Sequence, residues 1–74
     1  MITLFTLPDC PQCEIVKELL TTRGRKFKVK DMNDAETLSE LRYNGCFEIE
    51  APVLKDENGK FWPNRDITEY LEER

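Results

Sequence analysis

Two cysteines separated by two residues, in the segment Cys10-Pro11-Gln12-Cys13, are the side chains of this sequence best suited to chemistry. Thiols at this spacing either exchange electrons with another disulfide or bind a metal. Pro11 suits the first turn of a helix, because the N–H that it lacks would have no partner there. Cys10 is then the N-cap residue, where the first-turn N–H groups and the helix dipole stabilise a thiolate by ~1–2 kcal/mol. Since a thiolate is the species that attacks a disulfide, the segment predicts a redox site.

The two thiols are predicted to have different roles. Cys10, exposed and ionised, attacks one sulfur of a substrate disulfide and forms a mixed disulfide. Cys13 lies one turn further along the helix and is less accessible, so it resolves the mixed disulfide and leaves the pair oxidised. Asp9 opposes ionisation of its neighbour by like charge. The pair therefore predicts disulfide reduction with no tightly bound cofactor.

A metal-binding module is the alternative from another class of function. A structural zinc site needs four ligands, and the chain has three cysteines and no histidine. Such a site would need Cys10, Cys13 and Cys46 together with a carboxylate or a second subunit. An inert domain that only docks partners is a further alternative. Cys46 itself has two interpretations, a small buried apolar residue or a redox-sensing or dimer-forming thiol.

Composition limits the other classes of function. The 74 residues make a single domain over residues 1–74, with no room for a second core. The net charge of −4 argues against a nucleic-acid partner, since phosphate contacts require a clustered basic face. No segment approaches the ~20 apolar residues of a membrane span, and Met1 leads into a strand-like segment without a signal-peptide pattern. We therefore expect a metal-free monomer in the reducing cytoplasm.

The hydrophobic pattern places the thiol pair between a strand and a helix. Residues 2–5 are β-branched or apolar and carry no charge, which predicts a strand buried on both faces. From Pro11 the pattern changes to a helical period that ends at Arg23 and Gly24. The predicted buried stripe of this helix consists of Ile15, Val16, Leu19 and Leu20.

The next two elements are a strand and a helix. Residues 26–30 alternate strictly, so Phe27 and Val29 are predicted to face inward, while three lysines face water on an edge strand. Asn33 and Glu36 resemble a capping box at the start of a helix. The apolar face of that helix is predicted to consist of Ala35, Leu38 and Leu41, and Asn44-Gly45 supplies its left-handed stop.

After a loop through Cys46, Phe47 and Ile49, the chain is predicted to form a hairpin and a last helix. Residues 52–55 and 60–62 are the strands, and residues 56–59 form the turn between them. Asp66 and Glu69 offer a second capping box, with Asp66 as the N-cap residue. The apolar face of the last helix is predicted to consist of Ile67, Tyr70 and Leu71.

The element order is therefore strand, helix, strand, helix, strand, strand, helix. The helix between the first two strands makes those strands parallel, and the short turn makes the last two antiparallel. If residues 2–5 and Val53-Leu54 are central, the strand with the three lysines lies at one edge. The prediction is an α/β fold with one four-stranded mixed sheet and three helices.

With this element order, the chain resembles the glutaredoxins, small members of the thioredoxin fold. The resemblance covers nearly the whole chain and rests on the Cys10–Cys13 segment after the first strand and on Ala51-Pro52-Val53 at the start of the third. The family segment usually has the order Cys-Pro-Tyr-Cys, so Gln12 departs from it and leaves the spacing intact. The resemblance implies a minimal βαβαββα thioredoxin fold and thiol-disulfide oxidoreductase activity. It also implies a cis Ala51-Pro52 bond, with the Ala51 backbone beside Cys10, where an extended substrate segment binds.

Departures from the family bear on the electron source. Glutaredoxins commonly carry a lysine three residues before the first cysteine and a Gly-Gly pair ahead of the last helix, both serving glutathione; here those places hold Leu7 and Trp62-Pro63. Asp66 matches the acidic residue of the family at that helix start. The resemblance thus implies disulfide-containing proteins or glutathione mixed disulfides as substrates, and glutathione or a thioredoxin reductase as electron source. Trp62 favours the similar glutaredoxin-like electron donors of ribonucleotide reductase, which take electrons from thioredoxin reductase.

Overall fold

The computed structural model describes residues 1–46 and 50–73, so the predicted loop positions Phe47 and Ile49 lie outside the described residues. The elements follow the predicted order. Their bounds are β1 Ile2–Thr6, α1 Pro11–Thr22, β2 Phe27–Asp31, α2 Ala35–Tyr43, β3 Val53–Lys55, β4 Phe61–Trp62 and α3 Asn64–Glu73.

The four strands form one mixed sheet in the order β2-β1-β3-β4. β1 is parallel to β2 and antiparallel to β3, and β3 and β4 form the antiparallel hairpin. The predicted α/β sheet is thus confirmed, with the lysine-bearing strand at one edge and the charge-free strand inside. β1 occupies the centre because both of its faces are apolar: Ile2 and Leu4 lie in one core cluster, and Phe5 lies in the other.

Two clusters of buried side chains cover the two faces of the sheet. The first joins α1 and α3 to the sheet and consists of Ile2, Leu4, Val16, Leu20, Leu54, Trp62, Ile67, Tyr70 and Leu71. The second includes α2 and consists of Phe5, Met32, Leu41, Cys46 and Val53. The sheet therefore lies between a layer of two helices and a layer of one.

The buried stripe of α1 differs from the prediction. Ile15 is 50% exposed and Leu19 is 37% exposed, so these two predicted core positions are wrong. The buried residues are Cys13, Val16 and Leu20. They follow each other at intervals of three and four residues, which is the narrow stripe of a helix that meets the sheet along one side only.

The edge strand β2 also differs from its predicted alternation. Phe27 packs against the first cluster, but Val29 is 49% exposed. Lys30 is half-buried, because its Nζ lies 2.7 Å from Oε2 of Glu40 on α2. That hydrogen bond holds the pKa of Glu40 below its usual value of 4.5, against the opposing effect of burial. Neighbouring elements pack against only part of an edge strand. The alternation of apolar and charged residues does not by itself show which part becomes buried.

Both predicted capping boxes are wrong in their position. The N-cap residue of α2 is Asp34, whose Oδ2 accepts hydrogen bonds from the backbone N–H of Thr37 at 3.3 Å and from its hydroxyl at 3.2 Å. Thr37 is consequently buried, whereas the predicted core position Ala35 is exposed. α3 begins at Asn64, so Asp66 lies in its first turn and is not the N-cap residue. A carboxylate in a first turn still interacts favourably with the helix dipole.

Candidate active site

The turn between β1 and α1 brings the first cysteine to the surface. β1 ends at Thr6, and α1 begins at Pro11, with Cys10 as its N-cap residue in an extended conformation. Asp9 has a φ of 55°, a left-handed conformation that aspartate tolerates better than most residues with a side chain.

The Sγ atom of Cys10 faces the first turn of α1. It accepts a hydrogen bond from the backbone N–H of Cys13 at 3.1 Å, as an N-cap side chain does. The two cysteines are joined by a disulfide, with their Cα atoms 5.2 Å apart. Cys10 is partly exposed, while Cys13 is 2% exposed. Solvent and other molecules therefore reach the sulfur of Cys10 and not that of Cys13.

A second segment, distant in sequence, also lies close to Cys10. The Ala51-Pro52 peptide bond is cis, as the family resemblance implied. The carbonyl oxygen of Ala51 lies 3.9 Å from Sγ of Cys10. Pro52 is buried and Ala51 is partly exposed, so Ala51 is the residue of this segment that solvent reaches beside Cys10.

The other predicted site residues are not placed equally close. Gln12 is exposed in the first turn of α1, and Asp66 is partly buried in the first turn of α3. Among the described residues, neither side chain lines the groove next to Cys10. The structure thus brings together Cys10, Cys13 and the Ala51-Pro52 segment, and it leaves Gln12 and Asp66 outside this set.

An open groove of about 630 Å³ lies beside Cys10. Sequence reasoning missed three charged residues that line it, namely Glu14, Lys17 and Asp31. Two signals could have identified two of them. Asp31 ends β2 and pairs in register with Thr6 at the end of β1, and the carboxyl ends of parallel strands lie at one edge of a sheet. Glu14 lies one helical turn after Cys10.

The third thiol is not part of the Cys10–Cys13 pair. Cys46 is a free cysteine in the second core cluster with Leu41 and Val53. Over residues 1–46 and 50–73, no group of three or more Cys, Asp or Glu side chains is arranged to hold a metal ion. The geometry therefore supports the interpretation of Cys46 as a buried apolar residue.

Trp62, which by the family resemblance favours the electron donors of ribonucleotide reductase, is buried. Its Nε1–H donates a hydrogen bond to Oδ2 of Asp56 at 3.0 Å, and its ring lies 5.2 Å from the ring of Tyr70. The Nζ of Lys60 lies 4.1 Å from the centre of the indole. These contacts are those of a core residue under the hairpin.

Comparisons with known proteins agree with this architecture. A family model described as Glutaredoxin matches residues 2–60. No curated protein sequence matches the chain significantly. In the part of the chain that the structure describes, no helix is both long and apolar enough to cross a membrane.

Several solved structures are similar to this chain over most or all of its length. The thioredoxin-like protein BC3987 is 27% identical with a TM-score of 0.82, and the alignment covers 97% of this chain and 97% of that protein. The glutaredoxin-like protein NrdH-redoxin from Escherichia coli is 26% identical with a TM-score of 0.67, over 84% of this chain and 79% of that one. Protein XcR50 from X. campestris, 23% identical with a TM-score of 0.64, covers 100% of this chain and shares the fold.

Proposed function

This chain belongs to the glutaredoxin family, and on that basis we propose that it is a small dithiol-disulfide oxidoreductase that reduces protein disulfides through Cys10 and Cys13. The observation that carries the proposal is the position of Cys10 Sγ. It lies at the N-cap of α1, 3.1 Å from the backbone nitrogen of Cys13, and at the wall of an open groove. A thiolate formed there gains a hydrogen bond and the favourable field of the helix N-terminus.

The first step is attack by the Cys10 thiolate on one sulfur of the substrate disulfide. The new bond joins Cys10 to that sulfur, the substrate disulfide breaks, and the second substrate sulfur leaves as a thiolate that takes a proton from water. The partial exposure of Cys10 allows an in-line approach to the substrate.

The second step is attack by the Cys13 thiolate on Sγ of Cys10. It breaks the bond between Cys10 and the substrate, releases the remaining substrate sulfur as a thiolate that takes a proton from water, and forms the Cys10–Cys13 disulfide, so two electrons pass from the protein to the substrate. Cys13 is buried one turn from Cys10, which protects it from outside disulfides and holds it close to the sulfur that it attacks.

The Ala51-Pro52 segment is proposed to position the substrate. The Ala51 carbonyl oxygen lies 3.9 Å from Cys10 Sγ in a partly exposed residue, and a backbone carbonyl can accept a hydrogen bond from an extended substrate segment. Such main-chain pairing recognises a peptide largely independently of its side chains. Gln12 and Asp66 have no assigned contact in this scheme.

Electrons are proposed to come from a thioredoxin reductase and not from glutathione. Leu7, an apolar residue packed against the second core cluster, stands where the family commonly has a lysine that serves glutathione. The likeness to NrdH-redoxin, which is described as having a thioredoxin-like activity profile, supports the same electron source. A protein with this reductant and these thiols would act in the reducing cytoplasm as a monomer, without a bound cofactor.

Electron donation to ribonucleotide reductase is the second candidate function. Trp62 favours it through the family resemblance alone, because its indole is buried against Asp56 and Tyr70. On this candidate, Trp62 supports the hairpin and does not contact the partner.

One experiment separates the two electron sources. The oxidised protein is offered glutathione with NADPH-coupled glutathione reductase, or thioredoxin reductase with NADPH, and the rate of NADPH consumption is compared. We expect thioredoxin reductase to reduce the protein about tenfold faster. The Cys10→Ser/Cys13→Ser variant, which has no disulfide to reduce, is the control. Equal rates, or a faster rate with glutathione, would exclude this electron source.

A further inference from the structure

The groove beside Cys10 has walls of unequal charge. The acidic side chains that line it are Asp9, Glu14 and Asp31, and the one basic side chain is Lys17. Lys17 lies 3.4 Å from Glu14 in a salt bridge, so these two charges largely cancel. Within residues 1–46 and 50–73, neither Asp9 nor Asp31 forms an ion pair. The groove is therefore left with two uncompensated negative charges.

These two carboxylates come from different elements. Asp9 immediately precedes the nucleophile, and its left-handed conformation leaves its side chain exposed. Asp31 ends the edge strand β2, and its Oδ1 accepts a hydrogen bond from the backbone N–H of Asn33 at 2.8 Å. This bond holds the Asp31 carboxylate at the groove without neutralising it.

A substrate segment that occupies this groove beside Cys10 meets both charges. We propose that the groove selects peptide segments that carry lysine or arginine beside the disulfide and disfavours acidic ones. This inference rests on the proposed function, since it names the substrate class of the same site. Glutathione disulfide, with four carboxylates and two ammonium groups, is disfavoured for the same reason.

Attraction to such exposed charges is moderate and depends on salt. Each pair of exposed charges has a small effect on binding, and two of them together change a rate several-fold. The effect should weaken as the Debye length falls from ~20 Å or more in dilute buffer to a few Å in concentrated salt. Salt dependence therefore distinguishes an effect of charge from one of shape.

The test uses three synthetic peptides, each closed by one disulfide and flanked by lysine, glutamine or glutamate. Full-length protein is reduced with dithiothreitol, freed of reductant and mixed with each peptide, and the reduced peptide is quantified by chromatography. Dividing each rate by the rate with 2-mercaptoethanol removes the intrinsic reactivity of the peptide disulfide. We expect the lysine peptide to react about fivefold faster than the glutamate peptide in dilute buffer, and the ratio to approach one in about 0.5 M salt.

A pair of matched variants locates the effect. Asp9→Asn/Asp31→Asn should bring the ratio close to one in dilute buffer, because it removes both uncompensated charges and keeps the hydrogen-bonding oxygens. Glu69→Gln/Glu72→Gln makes the same change in net charge on exposed positions of α3, outside the groove, and should keep the ratio.

A ratio of one in the native protein, with the glutamine peptide reduced, overturns the charge selection and leaves the proposed function intact. The same loss of selection in both double variants overturns the assignment to the groove, because net charge then explains it. Failure to reduce any of the three peptides overturns the proposed function itself.

Discussion

Two turns of this molecule each follow a strand and each contain an aspartate, yet their carboxylates have opposite environments. Asp56, in the turn between β3 and β4, is 5% exposed. Its Oδ1 accepts hydrogen bonds from the backbone N–H groups of Asn58 and Lys60, both at 2.9 Å, and its Oδ2 accepts one from Trp62. Asp9, in the turn between β1 and α1, is exposed, and no ion pair to it occurs within residues 1–46 and 50–73.

The difference shows how one small fold separates structure from chemistry. The oxygens of Asp56 are occupied by donors of its own hairpin, so this carboxylate defines the turn and has little capacity for a ligand. Asp9 is next to Cys10 in the chain, is exposed and lines the groove. A buried charge requires donors in place of water, and an exposed one does not.

The largest effect is expected from removing the proposed nucleophile, Cys10, from the end of the turn between β1 and α1. Cys10→Ser should lower the rate of disulfide reduction by about three orders of magnitude or more, because serine is not ionised at neutral pH. Thermal unfolding should show a stable fold. Cys13→Ser should instead accumulate the mixed disulfide with the substrate, detected by mass spectrometry. If alkylation of the reduced native protein modifies Cys13 or Cys46 before Cys10, the assignment of the nucleophile is wrong.

The next largest effect is expected on stability, from a substitution in the turn between β3 and β4. Asp56→Asn should lower the free energy of unfolding by about 2–3 kcal/mol, because one amide oxygen cannot replace a carboxylate that accepts from three donors. Urea denaturation followed by Trp62 fluorescence measures the change. Reduction of a neutral peptide by the folded variant should match the native rate. A loss below about 0.5 kcal/mol would contradict a structural role for this carboxylate.

The same substitution in the turn between β1 and α1 should leave stability nearly unchanged and alter reactivity. Asp9→Asn should change the free energy of unfolding by less than about 0.5 kcal/mol, since asparagine also tolerates the left-handed conformation. Loss of the like charge should increase the fraction of Cys10 thiolate, so alkylation near pH 7 should accelerate about twofold. Comparing the unfolding free energy and the reactivity of Asp9→Asn with those of Asp56→Asn tests the difference between the two turns directly. A slower alkylation would mean that Asp9 assists Cys10.

The smallest effect concerns a carboxylate intermediate between the two. Glu40 is partly exposed and pairs with Lys30, whose hydrogen bond lowers the pKa of Glu40 in the folded state. The pair therefore stabilises the fold above the usual pKa of 4.5, and this contribution is lost as the pH falls through the lower folded-state value. Glu40→Gln should cost about 0.5 kcal/mol at pH 7 and progressively less at lower pH, as Glu40 of the native protein becomes protonated. A double-mutant cycle with Lys30→Gln measures the pair, and a coupling that persists at the lower pH would contradict its ionic origin.

Much of the fold could be predicted because it depends on local patterns. The alternation in residues 26–30, the helical period after Pro11 and the hairpin turn at residues 56–59 each identify an element with short-range information. The thiol pair could be recognised for the same reason, since its spacing and its position before a helix lie within four residues of sequence. The likeness to glutaredoxins extended this to the backbone of Ala51 near Cys10.

The errors have a common physical cause. The repeat of apolar residues along the sequence shows which side of a helix or strand is apolar. How far that side is buried depends on the elements that pack against it. Val29, Ile15 and Leu19 have the correct pattern and lie where cover is incomplete. The N-cap of α2 is Asp34 and not Asn33, because both residues can cap and the choice depends on which side chain reaches Thr37.

The sequence by itself determined the element order and the position of the thiol pair at the start of α1, because those depend on residue type and on spacing along the chain. Only the tertiary structure decided the surroundings of the sulfur. The parallel pairing of β1 with β2 brings Asp31 to the groove beside Cys10, and the hairpin fold buries Asp56 under Trp62. Asp31, the last residue of β2, and Asp56, which follows β3, thus have different surroundings, since the environment of a charge is determined by distant residues that folding brings together.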